Sequence, residues 1–297
     1  MAHPILPGAE ARSLPGSTDG PLHRRAPKDG ALVLHGFTGN PQSVAGLGEA
    51  LAMAGLAAEL PLLPGHGTSL LDMVPTRWED WSGAAEAAWA ELAGRCRRVL
   101  VAGLSMGGML ACWLAARHRD VAGVVAVNPL IEPPADSYLD ILRGLVDAGA
   151  EVAPGIGSDI ADPDGQETGY AGSPIRAALS MFGAAGPLVA DLGRIRCPIL
   201  LLSSRHDHVV PSSSGDLLSE RAGGPVERVW LERSYHVATR DYDRAEVETR
   251  AVEFAGKVLG TSGTPPGTAP GTPGTALGTP APGTPPGTAP ETPPTMS

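Results

Sequence analysis

"RVLVAGLSMGGMLACWLAARH", residues 98–118, holds the decisive pattern. An apolar run ends in a glycine, a lone serine follows two residues later, and a second apolar stretch starts at once. The first run, up to Gly103, is short, continuous and β-branched, which reads as a strand buried on both faces. "MGGMLACWLAARH" has the length and composition of a helix. Ser105 therefore sits on a turn from strand to helix. Such a turn is so sharp that the positions two before and two after it approach neighbouring backbone, so only small residues fit at Gly103 and Gly107. The turn lifts the hydroxyl above the sheet. The electropositive amino end of the helix, with its unpaired N–H groups, favours an oxyanion nearby.

The same alternation runs outward on both sides. "ALVLHG" (31–36), "VAGVVAVNP" (121–129), "PILLLSS" (198–204) and "VERVWLE" (226–232) read as strands, and "LAAELPLLPGHG" (56–67) as a strand running into a loop. "SVAGLGEALAMAG" (43–55), stopped by Gly55, reads as a helix, as do "RWEDWSGAAEAAWAELAG" (77–94), "GDLLSERAG" (215–223) and "RAEVETRAVEFAGKVLG" (244–260). Apolar strands separated by helices predict an α/β protein with a mostly parallel, doubly wound sheet, covered on both faces. Such a sheet carries its working groups at the carboxyl ends of its strands.

Three stretches depart from this rhythm. Residues 130–186 have apolar residues at helical spacing interrupted by Pro and Gly, and are expected to form a cap inserted between core segments 29–129 and 187–259. Residues 260–297 are loose repeats of Gly, Thr, Pro and Ala with the single charge Glu291. They lack the apolar surface that offsets ordering entropy, so a disordered tail is expected. Residues 1–28, rich in Pro, Gly and Arg, are expected to be flexible.

Composition narrows the function. Among 297 residues, Asp and Glu outnumber Lys and Arg by 32 to 22, and the net charge of −10 leaves no basic stripe for nucleic acid. Arg24-Arg25 and the Arg95 to Arg98 cluster read as solvated surface or as the approach to a strand. No signal-peptide pattern opens the chain, and no run approaches 18 apolar residues. The three cysteines, Cys96, Cys112 and Cys197, form no CxxC pair, which argues against a disulfide framework or a thiolate zinc site. The expectation is a soluble cytoplasmic protein without stable membrane insertion, metal or cofactor.

A serine hydroxyl needs a base, and the base needs an orienting carboxylate. Proteins of this strand–turn–helix design supply them in the order serine, acid, histidine. Asp207 follows the strand in "LLLSSRHDHVVP" (200–211), and His236 lies just beyond the last strand in "VWLERSYHVAT" (229–239). Both reach the edge that carries Ser105. His206 and His208 flank Asp207 and suggest a metal, but no further ligand accompanies them. His66 precedes the serine, and His118 ends a helix, where a surface role fits better. Asp241 and Asp243 compete as the acid but lie on the approach to the last helix, where Asp243 suits an N-cap. A tetrahedral intermediate needs two N–H donors. Met106, after the nucleophile, and Phe37, in "LVLHGFTGN" (32–40), are the candidates, with His35 bracing the loop.

"LVLHGFTGNPQS", "LPGHGTS", "GLSMGG", "HDHVVP" and "SYHVATRDYD" together resemble bacterial monoacylglycerol lipases and small carboxylesterases of the α/β-hydrolase superfamily, over roughly residues 30–258. The resemblance implies the α/β-hydrolase fold, the triad Ser105, Asp207 and His236, and the Phe37 and Met106 amides as oxyanion hole. It also implies that Glu167, in the cap stretch "GIGSDIADPDGQETGYAGSP" (155–174), accepts hydrogen bonds from substrate hydroxyls; a solvated loop glutamate is the competing reading. Ile141, Leu142, Leu145, Ile156, Ile160, Met181 and Phe182 are candidate acyl-tunnel residues. The function expected is hydrolysis of carboxylic esters, monoacylglycerols or similar short-to-medium acyl esters, through the Ser-Asp-His triad and an acyl-enzyme. Its rivals are a thioesterase or related hydrolase on the same triad, and a catalytically silent binding protein.

Overall fold

The computed structural model describes residues 3–24, 28–155 and 157–260; the expected tail, from Thr261, and Ile156 lie outside them. Nine strands are present among these residues: β1 (Arg12–Leu14), β2 (Gly30–Leu34), β3 (Ala57–Leu60), β4 (Val99–Leu104), β5 (Val121–Val127), β6 (Val152–Pro154), β7 (Gly172–Pro174), β8 (Ile199–Ser204) and β9 (Val226–Leu231). The helices are α1 (Ala45–Met53), α2 (Leu70–Met73), α3 (Trp78–Arg95), α4 (Met106–Arg117), α5 (Asp136–Asp147), α6 (Ile175–Asp191), α7 (Ser212–Arg221) and α8 (Arg244–Leu259). Seven strands form one sheet in the order β1-β3-β2-β4-β5-β8-β9, and every pairing except β1 with β3 is parallel. The mostly parallel α/β architecture read from the apolar runs is thus the one observed.

Strand alternation explains why those runs are continuous. Leu32, Leu34, Val99, Val101, Val124, Ala126, Ile199 and Leu201 face one side, against the Trp78, Trp81 and Trp89 side chains of α3 and the apolar faces of α4 and α6. Ala31, Val33, Leu100, Ala102, Val125, Val127, Leu200 and Leu202 face the other, against Leu47 and Leu51 of α1 and Val247, Ala251 and Phe254 of α8. In β2, β4, β5 and the Ile199–Leu202 part of β8 neither face meets water, so these runs carry no polar residues. Each large aliphatic side chain buried this way contributes about 1.5–3 kcal/mol.

Two expectations need correction and two need qualification. The N-terminal segment, read as flexible, is tied down: Arg12–Leu14 pairs with β3 in antiparallel register, and Ala9 is fully buried. Composition could not show this, because backbone bonds to a distant strand hold it. The Arg95 to Arg98 cluster does lead into a strand, β4, as one of its two readings had it, but its arginines are more than solvated surface. Arg97 clasps the buried Asp29 through two hydrogen bonds (Nε to Oδ1, 3.0 Å; Nη2 to Oδ2, 2.7 Å), and Arg24 and Arg98 approach the same carboxylate. Ile175–Arg194, although interrupted by Arg176, Ser180 and Asp191, is long and apolar enough by composition to span a membrane. Its α6 portion packs Ala177, Met181, Ala185 and Leu188 into the core beside α4, which accounts for its apolarity. The expected boundary at residue 186 falls inside α6, which continues through Pro187 to Asp191.

Between β5 and β8 the alternation lapses. α5, the small antiparallel hairpin β6–β7 and a long irregular stretch from 157 to 171 occupy this interval before α6. α5 buries only Leu142 and leaves Ile141 and Leu145 exposed. Of the candidate acyl-tunnel residues, these two therefore face solvent. Met181 is buried, while Phe182 and Ile160 are partly buried against the two core clusters.

Candidate active site

β4 ends at Leu104 and α4 begins at Met106, so Ser105 alone makes the turn, with φ 57° and ψ −116°. A non-glycine residue rarely adopts this backbone, which costs about 1–3 kcal/mol. Contacts on both sides hold it there. The Ser105 N–H donates to the Val127 carbonyl (2.9 Å), and the Ser105 carbonyl accepts from Met109 N (3.0 Å) and Leu130 N (3.3 Å). The glycines are sterically required. A β-carbon on Gly103 would lie 2.2 Å from the carbonyl carbon and oxygen of Gly107, and one on Gly107 would lie 2.0 Å from the Leu34 carbonyl oxygen.

After β8, the two-residue turn Arg205–His206 delivers Asp207. Its Oδ1 accepts from the N–H groups of Val209 and Val210, both at 2.8 Å, which fixes the carboxylate plane. Oδ2 lies 2.8 Å from His236 Nδ1. Both side chains are nearly buried, at 5% and 8% exposed. An ionised carboxylate can only accept, so Nδ1 carries the proton and Nε2 is left to take one. Nε2 has no hydrogen-bond partner among the described residues, and neither has the Ser105 hydroxyl. The structure therefore joins Asp207 to His236 directly. It brings Ser105 to the same sheet edge without a hydrogen bond to the imidazole. Contacts of that kind often tighten only around substrate.

Asn128 links the two halves and was not foreseen. It follows Val127, the acceptor for Ser105, and has φ 43°. Its Nδ2 donates to the His236 carbonyl (2.8 Å) and to Ser204 Oγ (2.9 Å), while its Oδ1 accepts from Ser204 N (2.8 Å). One buried amide thus fastens the histidine loop to the ends of β5 and β8. In sequence it looks like an ordinary polar residue closing a strand.

Phe37 lies in the loop after β2, which folds against the elbow: a β-carbon on Gly36 would stand 3.5 Å from Ser105 Cβ. His35 braces this loop. Its Nε2 accepts from Leu63 N (3.2 Å), so its Nδ1–H donates to the Gly36 carbonyl (2.9 Å). Burial lowers its pKa to about 4 and keeps it neutral. His66 packs edge-on against it and is held neutral the same way, by burial first and by His35 second. The Phe37 ring sits edge-on to Trp81, with centroids 5.5 Å apart. Among the described residues the Phe37 N–H meets no acceptor. The Met106 N–H, at the first position of α4, has none within the helix. Two candidate donors therefore stand unpaired beside the serine turn.

Glu167 is half-buried above this loop, its Oε1 accepting from Ser43 Oγ at 2.6 Å. The competitors for the acid have other occupations. Asp241, fully buried, accepts from the N–H groups of Ala161, Asp162 and Tyr235. Asp243 makes no side-chain cap bond at the start of α8; its Oδ2 accepts instead from Arg233 N and Ser234 N. His208 pairs with Asp159 (2.8 Å), and no cluster of three or more metal-ligating side chains occurs among the described residues. A surface cleft lined by Asp164, Gly165, Gln166, Arg240 and Arg244 shares no residue with the candidate site.

Comparison with known proteins identifies the family. The chain is 38% identical over 261 residues to a thermostable monoacylglycerol lipase of Bacillus sp. (strain H-257), covering 87% of this chain and 98% of the relative. It is 25% identical over 230 residues to a carboxylesterase of Bacillus subtilis (strain 168), covering 76% of this chain and 92% of the relative. A solved structure described with LipS and LipT, two metagenome-derived lipolytic enzymes, superposes with a TM-score of 0.78 at 37% identity, over 86% of this chain and all of the other. Residues 31–250 match the family model described as the alpha/beta hydrolase family. The chain belongs to the alpha/beta hydrolase family.

Proposed function

We propose that this carboxylic ester hydrolase cleaves monoacylglycerols and similar acyl esters through a covalent intermediate on Ser105. Ser105 Oγ attacks the ester carbonyl carbon while His236 Nε2 takes the hydroxyl proton. Asp207 holds the ring in the Nδ1–H tautomer and stabilises the imidazolium. The carbonyl oxygen, now negative, accepts from the Met106 and Phe37 N–H groups. The tetrahedral intermediate collapses, the carbon–oxygen bond to the alcohol breaks, and His236 gives its proton to the leaving alkoxide. A water molecule, deprotonated by the same imidazole, then attacks the acyl-enzyme. The acid departs and Ser105 regains its proton. None of these steps calls for a metal or cofactor.

The observation that carries this reading is the 2.8 Å Asp207–His236 pair beside a serine held at φ 57°. Identity of 38% to a monoacylglycerol lipase along nearly the whole relative supports the substrate class. In this reading Glu167, whose Oε1 accepts from Ser43 Oγ, also accepts a hydrogen bond from the glycerol hydroxyls of the leaving group. Residues 130–186 serve in this reading as the cap that walls the acyl chain, with Met181 and Phe182 as its apolar contacts. Three free thiols suit a reducing cytoplasm.

A fluorophosphonate probe and a substrate panel test the proposal. The wild-type protein should be labelled covalently and should turn over a monoacylglycerol faster than a thioester of equal chain length. Ser105→Ala should lose both labelling and turnover, the latter by several orders of magnitude. A wild-type protein that is folded but unlabelled would make it a binding protein instead.

A further inference from the structure

We propose that Asp159, which belongs neither to the triad nor to the oxyanion hole, is a positioning residue for His236. The inference rests on the serine-hydrolase reading and adds a second carboxylate to its machinery. Asp159 lies in the irregular stretch between β6 and β7, and its side chain is 13% exposed. Its Oδ2 accepts from the backbone N–H of His236 (3.0 Å) and from that of His208 (3.1 Å). Its Oδ1 lies 2.8 Å from His208 Nδ1, and its own carbonyl accepts from Val237 N (3.1 Å).

These bonds close a ring. Asp207 bonds the His236 imidazole, the His236 N–H bonds Asp159, Asp159 bonds the His208 N–H, and His208 is the covalent neighbour of Asp207. The acid and the base sit on separate loops, and a single side-chain hydrogen bond would leave those loops free to hinge about it. A carboxylate bridging the two backbones removes that freedom. Asn128 and Ser204 tie the histidine loop to the end of β8, and the His208 ring packs edge-on to Tyr235, but among the described residues Asp159 alone accepts from backbone N–H groups of both loops.

The stretch that carries Asp159 is itself fastened at both ends. Asp241 accepts from Ala161 N (2.8 Å) and Asp162 N (2.9 Å), and from Tyr235 N (2.8 Å), the residue before His236. At the far end the Tyr170 N–H donates to the Thr38 carbonyl (3.0 Å), and Asn40 Nδ2 donates to the Thr168 carbonyl. Residues 159–170 thus form a strap from the histidine loop to the oxyanion loop, and Asp159 is its anchor on the catalytic side.

The test uses the full-length protein and p-nitrophenyl butyrate, an ester without glycerol hydroxyls for Glu167. Competent sites are counted by fluorophosphonate titration, so kcat is read per competent site and any unfolded fraction drops out. Asp159→Ala should lower kcat per site by about 10- to 100-fold, the scale of a displacement near 1 Å at a catalytic group, with KM within about threefold. Asp159→Asn keeps an acceptor oxygen for both N–H groups and should recover to within about fivefold of wild type. Should the alanine variant not fold, Asp159→Glu moves the carboxylate by one methylene and should still lower kcat per site at least fivefold. An alanine or glutamate variant with kcat per site within threefold of wild type overturns the positioning role, as does an asparagine variant no better than alanine. A wild-type protein that the probe leaves unlabelled overturns the serine-hydrolase reading itself, and the proposal with it.

Discussion

Replacing Gly103 by alanine adds one methyl group, and the structure fixes what that methyl meets. Its carbon would lie 2.2 Å from both the carbonyl carbon and oxygen of Gly107, and 2.7 Å from Gly108 N. A tolerable contact between such atoms begins near 3.2 Å, so β4 and the first turn of α4 must part by about 1 Å. The obstacle is backbone at the start of a buried helix, with no flexible side chain to swing aside. Forcing an extra methylene into a packed core costs about 1–3 kcal/mol, and this site should fall at or above the upper end. The separation also moves Ser105, which sits between the two elements, and a 1 Å misplacement of a reacting group costs about 100-fold in rate. Gly83→Ala supplies the control. Gly83 lies in α3, and a β-carbon there meets nothing within 4 Å. The same methyl there should stabilise the protein by about 0.5–1 kcal/mol through helix propensity, with turnover unchanged. Urea unfolding monitored by tryptophan fluorescence, with kcat per titrated site, reads both effects. Equal stability of Gly103→Ala and wild type, with kcat within threefold, would refute the argument that the elbow's glycines are there for lack of room.

Two further outcomes follow from the site. Asp207→Asn keeps the shape of the side chain but loses the charge that selects the Nδ1–H tautomer, so kcat should fall about 10⁴-fold while fluorophosphonate labelling slows without vanishing. His35 ties stability to pH: its pKa is about 4 in the fold, against 6.5 for the free side chain. A base depressed in this way contributes its stability above pH 6.5 and loses it as pH falls from 6.5 toward 4. The full span corresponds to about 3 kcal/mol. Unfolding free energies at pH 7.5 and 4.5 should show His35→Asn losing less on acidification than wild type by roughly that amount, and equal losses would count against the assignment.

Much of this was legible in the linear chain because it depends on local pattern. The apolar runs of β2, β4, β5 and β8 need no polar residues, since both faces of the sheet are covered. The serine turn announces itself because backbone is packed around it on both sides. Asp207 and His236 could be placed because each follows a recognisable strand. Asp159 and Asn128 escaped because they act on backbone N–H and carbonyl groups, which every residue carries. His236 and Asp159 are 77 residues apart, and no periodicity links a carboxylate to an amide at that distance. The clasp of Asp29 by Arg97 and the seating of β1 on β3 escaped for the same reason: each joins groups whose chemistry is ordinary and whose partnership exists only in the fold. The acyl-tunnel candidates Ile141 and Leu145 show the reverse error. Their helical spacing on α5 was real, but periodicity gives a face without saying what lies opposite, and here the face turns to water.

The backbone itself points to the same place. Among the described residues the non-glycine positions with positive φ are Thr38 (64°), Ser105 (57°) and Asn128 (43°). They follow β2, β4 and β5, three strands side by side in the sheet, and all lie at the carboxyl edge. Each conformation is unfavourable by about 1–3 kcal/mol and persists only where its surroundings over-determine it. The parallel ladders do so: Gly30 to Leu34 of β2 pair with Val99 to Gly103 of β4 without a break, and Gly103 and Leu104 pair with Ala126 and Val127. A chain leaving three such strands in register can relax none of the three turns without displacing a neighbour. The strain of one residue is thereby held by the pairing of the next, and the groups proposed as oxyanion donor, nucleophile and fastener of the histidine loop arrive together. Parallel pairing is what makes this possible, since it brings the ends of neighbouring strands to one edge, where an antiparallel sheet would send alternate ends to opposite sides.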